Sequence, residues 1–368
     1  MDQARPASNG HVSHGNSQAR PAWAELIDLA SERIGGRALE CSDDFFAGME
    51  NLLKPTAAIF IPGKFTTRGK WMDGWESRRK REPGHDWCVV KLGRPGIIRG
   101  VNVDTAHFNG NQPEACTIEG AVVEPGSGRR GKGKAAKGVL DGVEWVEVVG
   151  RTSLGPGREH FIAALPGAGE KSFTHVRLNM FPDGGIARLR VYGEIRSDWA
   201  QLAKHAGPIE TSGAVYGGLV VAANDMHFGS RHNLIMPDTA ANMGDGWETR
   251  RKRNLTWVDG QPVEHDWAIV KLAHRTSVTA IDVDTNHFKG NFPESCLIEV
   301  CDVRADVPGA GAGWRTVLPR TKLKASHLHH FGKLLDRAAI DTPCTHVRLS
   351  IFPDGGISRL RVWGRPVL

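Results

Sequence analysis

Two nearly identical charged nonapeptides, "DGWESRRKR" at 73–81 and "DGWETRRKR" at 245–253, show that the chain is written twice. The repetition runs far beyond them. "GGRALECSDDFFAGMENLLKP" (35–55) aligns with "GGLVVAANDMHFGSRHNLIMP" (217–237), and "HDWCVVKLG" (85–93) with "HDWAIVKLA" (265–273). "VNVDTAHFNGNQPEACTIEG" (101–120) aligns with "IDVDTNHFKGNFPESCLIEV" (281–300). "THVRLNMFPDGGIARLRVYG" (174–193) and "THVRLSIFPDGGISRLRVWG" (345–364) share sixteen of twenty residues. The offset drifts only between 171 and 182. That period is much longer than a solenoid repeat, so each copy is a whole domain. The expected division is a disordered tail over 1–21, domains at 22–196 and 207–368, and a short helical link over 197–206.

Within each copy, short apolar runs alternate with Gly- and Pro-rich turns, the signature of an antiparallel all-β sandwich. "DWCVVKLG" and "IIRGVNVDT" flank "RPG", which predicts a hairpin pairing 85–92 with 98–104. That pairing would bring His85 and Asp86 beside Asp104, Thr105 and His107 on one rim, and His265 and Asp266 beside Asp284, Thr285 and His287 in the second copy. A rigid sandwich carries its chemistry on such loop ends. Trp75, Trp87, Trp247 and Trp267 are expected to pack in the core or at its rim.

Charge and cysteine content narrow the class. Of the net charge of +6, five positive charges fall in "PGSGRRGKGKAAKG" (125–138), which reads as a flexible basic surface loop. The remaining body is near neutral, which argues against nucleic acid as a partner. No apolar run is long enough to span a bilayer, and the N-terminal residues lack the apolar core of a signal peptide. Six cysteines without a C-x-x-C pair suit a reducing cytoplasm and not a disulfide scaffold. Cys116 and Cys296 read as small buried hydrophobes.

The ordered blocks "DGWExRRKR…HDWxxVKL…DTxHFxGNxPE…FPDGGIxRLRVxG", present twice, resemble the allantoicase family from about residue 30 to the C-terminus. More loosely, each unit is similar to the discoidin-like galactose-binding sandwich. The first resemblance implies hydrolysis of allantoate to ureidoglycolate and urea in purine catabolism. It also implies two tandem jelly-roll β-sandwich domains and a homo-oligomer. The second leaves open a non-catalytic double sandwich that binds carbohydrate or a small anion.

Allantoate carries one carboxylate and two ureido groups on one carbon. Its recognition calls for Arg against the carboxylate and amide or carboxylate side chains against the ureido groups. Arg78, Arg79, Arg250 and Arg251 of the nonapeptides are candidates, with Asp104, Asp284, Glu114, Glu294, Arg188 and Arg359. Arg188 and Arg359, set opposite Leu189 and Leu360, reach either substrate or an acidic neighbour. The nonapeptide itself is either a solvated charged loop or a substrate-contacting one, and its doubling fits both.

Expelling urea needs a proton donor for the leaving nitrogen and a base for the incoming water. Glu76 or Glu248, paired with His107 or His287, supply those roles. His85, Asp86, Asp104 and His107 form an N/O donor set that suits Mn²⁺ or a similar ion, and equally suit hydrogen-bonded corners. No stereotyped metal motif is present, so no cofactor is expected to be required.

Overall fold

The computed structural model of the chain describes residues 19–123, 140, 142–309 and 311–368. The tail before residue 19 and the basic segment 125–138 lie outside them. Each copy folds as an eight-stranded antiparallel sheet curled into a sandwich, over residues 27–195 and 209–366. A helix at Trp199–Leu202 lies in the connection, its Trp199 ring against Tyr216 and His274 of the second module. Among the described residues no helix is long and apolar enough to cross a membrane.

The centre of each module differs from the expected hairpin. Residues Asp86–Asp104 form one strand of 19 residues whose halves do not pair with each other. The first half pairs with Arg37–Cys41 and Ser172–Phe181, and the second with Arg188–Ile195 and Glu159–Ala163. At Leu92–Pro95 the strand leaves one layer of the sandwich for the other, the corner by which strands commonly switch sheets. The Gly93 N–H donates to Leu29 O and Pro95 O accepts from the Arg196 N–H, so the "RPG" step is held by other segments and not by hairpin closure. Both ends nonetheless reach the same end of the sandwich, because Asp86 pairs with Met180 and Asp104 with Arg188. Residues 181–187 bridge between them.

The halves contribute alternating side chains to one core. Cys88, Val90 and Leu92 meet Ile98, Val101 and Val103, all at most 2 % exposed. Trp75 and Trp247 are fully buried, each donating its indole N–H to the backbone oxygen of Asp43 or Asp225. Trp87 and Trp267 are half-buried. All six cysteines are free thiols, and burial pushes Cys116 and Cys296 up to about 12.

Most buried apolar residues of the two modules join in one cluster, and charged contacts cross the boundary. Arg33 of the first module meets Asp238 and Asp245 of the second, both at 2.8 Å. Glu25 meets Arg231 at 2.8 Å and His232 at 3.0 Å.

The bridge exposes an exchange between the copies. In the first module, Asp73 takes its cations from its own chain neighbourhood, Lys54 and Arg188. Its counterpart Asp245 takes Arg359, but Met236 stands where Lys54 stands, and Arg33 from the first module supplies the missing charge. Val215 occupies the position equivalent to Arg33.

Candidate functional site

The nonapeptide is mostly architecture. Asp73 is buried and accepts from Arg188 Nη2 at 2.6 Å. Although burial raises its pKa, bonds from Arg188, the Ile59 N–H and Lys54 hold it below the ordinary value. Ser77 and Gly184 exchange hydrogen bonds, and the Lys80 N–H donates to Asp183 Oδ2 at 2.8 Å. Asp354 serves Lys252 in the same way, so both aspartates of "FPDGG" are turn acceptors. Arg78 is held by Asp43 at 2.6 Å, and Arg250 donates to His227 Nδ1 at 3.0 Å.

Arg188 and Arg359 are not substrate contacts. They are 2 % and 1 % exposed, and each guanidinium is spent inside the protein. Arg188 donates to Thr56 O, Asp73 O, Ala187 O and Asp73 Oδ2; Arg359 does the same with Asp238, Asp245 and Ser358. Of the two roles open to them, the acidic neighbour wins, because a buried guanidinium must find acceptors for all its donors.

The proposed metal donors do not gather. Asp86 accepts from Lys80 Nζ at 2.6 Å and Ser42 Oγ at 2.7 Å, while Asp104 Oδ1 caps its own turn through the Ala106 N–H. The His85 ring lies 4.6 Å from Phe181, and His107 bonds Ala58 O. Among the described residues no group of three or more His, Cys, Asp or Glu could hold a metal ion. Asp284 repeats the turn role of Asp104 by accepting from the Asn286 N–H. These aspartates shape the turn that presents His107 and His287 at φ of 69° and 70°.

Glu76 and His107 line the same space. They share a concavity of about 230 Å³ with Phe46, Lys70, Met72, Asn109 and Asn111. Glu76 is placed by a short ladder with Gly185 and by the Phe46 and Ala47 N–H groups, which donate to its backbone oxygen. Burial raises its carboxyl above the ordinary value, against the Asn111 hydrogen bond and the Lys70 charge. Asn111 Nδ2 donates to Glu76 Oε1 at 2.8 Å. His107 stacks on Phe60, and its Nε2 lies 3.1 Å from Ala58 O. A carbonyl only accepts, so Nε2 carries the hydrogen and Nδ1 is left as a proton acceptor.

Two loops lock this geometry. "FPDGG" approaches the "HFNGNQPE" loop (107–114) so closely that a Cβ on Gly185 would lie 1.9 Å from Phe108 Cε1. Gly184, at φ 136°, would place one 2.7 Å from Asn111 O. Only glycine permits the contact that sets Asn111 against Glu76. The sequence alone did not mark Asn111, Lys70, Phe46 or Asn109 as candidates for the site. Lys70 arrives on a hairpin, Phe65–Thr66 with Gly69–Lys70, inside a stretch (59–71) that the second copy replaces with three residues, 241–243.

The second module keeps the pair, Asn291 donating to Glu248 Oε1, but opens it differently. Its concavity of about 560 Å³ contains Phe228, Glu248, Asn291, Arg251, Glu294 and Lys322, and not His287. His287 bonds Ala240 O at 2.8 Å. Leu255, from the insertion 254–264 that follows the second nonapeptide, helps wall it. Glu294 is paired with Arg320 at 3.4 Å. Arg79 and Glu114 are exposed and outside the first concavity.

A family model described as Allantoicase repeat matches residues 27–196 and 209–367. "Probable allantoicase 1" of Burkholderia mallei is 46% identical over 342 residues, 92% of this chain and 94% of that protein. "Probable allantoicase" of Rhizobium meliloti is 44% identical over 346 residues, with 92% and 94% covered. The crystal structure of allantoicase from Saccharomyces cerevisiae superposes with a TM-score of 0.73 at 34% identity, covering 92% of this chain and 93% of that one.

Proposed function

The chain belongs to the allantoicase family, and we infer from that membership that it hydrolyses allantoate to ureidoglycolate and urea. We further propose that the concavity of the first module carries the reaction. The observation behind this placement is a carboxyl raised by burial, fixed by an amide, sharing one small space with a histidine and a lysine.

In this reading Lys70 pairs with the substrate carboxylate and Asn109 hydrogen-bonds a ureido group. Glu76, whose carboxyl burial raises above its ordinary value, donates its proton to one ureido nitrogen as the bond from that nitrogen to the central carbon breaks. The lone pair of the other ureido nitrogen forms a C=N bond to the same carbon, and urea departs. Water then adds to that carbon while His107 Nδ1 takes its proton, giving ureidoglycolate. The proton returns from His107 to Glu76 through solvent, and the cycle closes without a metal.

Glu76→Gln tests the placement, because the amide keeps the shape and loses the proton. Release of urea from allantoate is expected to slow about 10²–10⁴-fold, the usual worth of general acid–base catalysis. Wild-type turnover is expected to persist in a chelator. Retention of full activity by E76Q overturns the placement, and loss of activity in chelator overturns the metal-free route.

A further inference from the structure

The two concavities share Phe46/Phe228, Glu76/Glu248 and Asn111/Asn291, but extend to different sides of that trio. In the first module the space runs toward His107 under the hairpin that carries Lys70. In the second it runs toward the "FPDGG" turn, along Arg251, Lys322 and Asp354.

The cations decide what the second space can take. Lys252, on its wall, is neutralised by the buried carboxylate of Asp266. Arg251 and Lys322 have no hydrogen-bond or ion-pair partner for their side chains among the described residues. Lys322 pairs across the ladder with Ser295; the equivalent position of the first module, opposite Ala115, is Ser153. Glu294 and Asp354 on the same wall are engaged by Arg320 and the Lys252 N–H, so two cations without a bonded partner face a carboxylate–amide pair, which matches a small anion that also has N–H donors: a carboxylate bearing a ureido group. Because His287 lies outside the space, the base proposed for the first module has no counterpart there.

We propose that the second module holds a separate site that binds ureido-carboxylates without hydrolysing them. This rests on the assignment of turnover to the first module. It makes Lys322 a specificity residue of the second site alone.

The test uses ureidoacetate, which has a carboxylate and one ureido group but no second ureido nitrogen to drive cleavage. Equilibrium dialysis of the full chain is expected to give two molecules bound per chain. Lys322→Ser, which installs the residue of the first module, is expected to weaken one of the two events at least tenfold. Turnover of allantoate at saturation is expected to stay within about twofold of wild type. Arg251→Ala, read by binding only, is expected to weaken the same event. Fewer than two molecules per wild-type chain, or two unchanged events in both variants, overturns the proposal. Loss of turnover in a folded K322S protein also overturns it, by showing that this space is catalytic. Failure of the first-module assignment is seen separately, as activity surviving in E76Q.

Discussion

At the scale of single residues, the same acid type has opposite fates a few positions apart. Asp73 is held ionised by two cations, while burial keeps Glu76 toward its neutral form. Because the folded-state value of Glu76 is raised, the folded protein binds this proton more tightly than the unfolded chain. Its contribution to stability is therefore complete below the ordinary 4.5 and declines as pH rises through the raised value. Denaturant midpoints of wild type and E76Q are expected to converge in acid and separate above it, with E76Q the more stable. The rate is expected to fall over the same window as the donor proton is lost. Arg188 gives a contrasting expectation. Arg188→Ala leaves Asp73 buried without its main partner, so stability is expected to drop by about 3–5 kcal/mol, measured by chemical unfolding.

At the scale of elements, the insertions decide which site is which. Within 59–71, Lys70→Met removes the charge and leaves Phe60 against His107 and the Ile59 N–H on Asp73. The variant is expected to fold with KM for allantoate about tenfold higher, matching the ~1.4 kcal/mol of one charged contact. An unchanged KM excludes Lys70 from the substrate carboxylate. Elements also mark where sequence reading stopped. The strands, the turns and the buried Trp75 and Trp247 were legible because alternation and turn residues are local signals. The long strand was not: "RPG" has the composition of a hairpin turn whether the halves pair with each other or with strands at 37–41, 159–163, 172–181 and 188–195. Glu76 and His107 were legible as chemistry, but their sharing of one space depends on the loop contact at Gly184 and Gly185. Arg188 stayed open between substrate and an acidic neighbour because a sequence names a charge without naming its acceptors; Asp73 is the acceptor. Lys70 was invisible because it lies where the two copies cease to align.

At the scale of the molecule, the modules are joined by charge as well as by core. Arg33→Ala removes the cation that Asp245 draws from across the boundary, and stability is expected to fall by about 1–3 kcal/mol. Adding Met236→Lys restores the arrangement of the first module in cis and is expected to recover most of the loss. A double variant no more stable than R33A shows that Arg33 acts through something other than Asp245. The Glu25 contacts give the boundary an acid limit as well. The His232 hydrogen bond leads in lowering Glu25 to about 2, so that contribution is full above 4.5 and fades as pH falls toward 2.

The migration of one cation from beside Asp245 to the opposite module has a consequence for the history of the chain. A newly doubled gene can discard either half, since each half is self-sufficient. Once Lys54 had no counterpart and Arg33 served in its place, the second half carried a debt to the first. From then on a deletion that removed the first copy would strip an inward-facing carboxylate of one of its cations. Redundancy had become dependence, carried by this salt bridge together with the shared core and the Glu25 contacts.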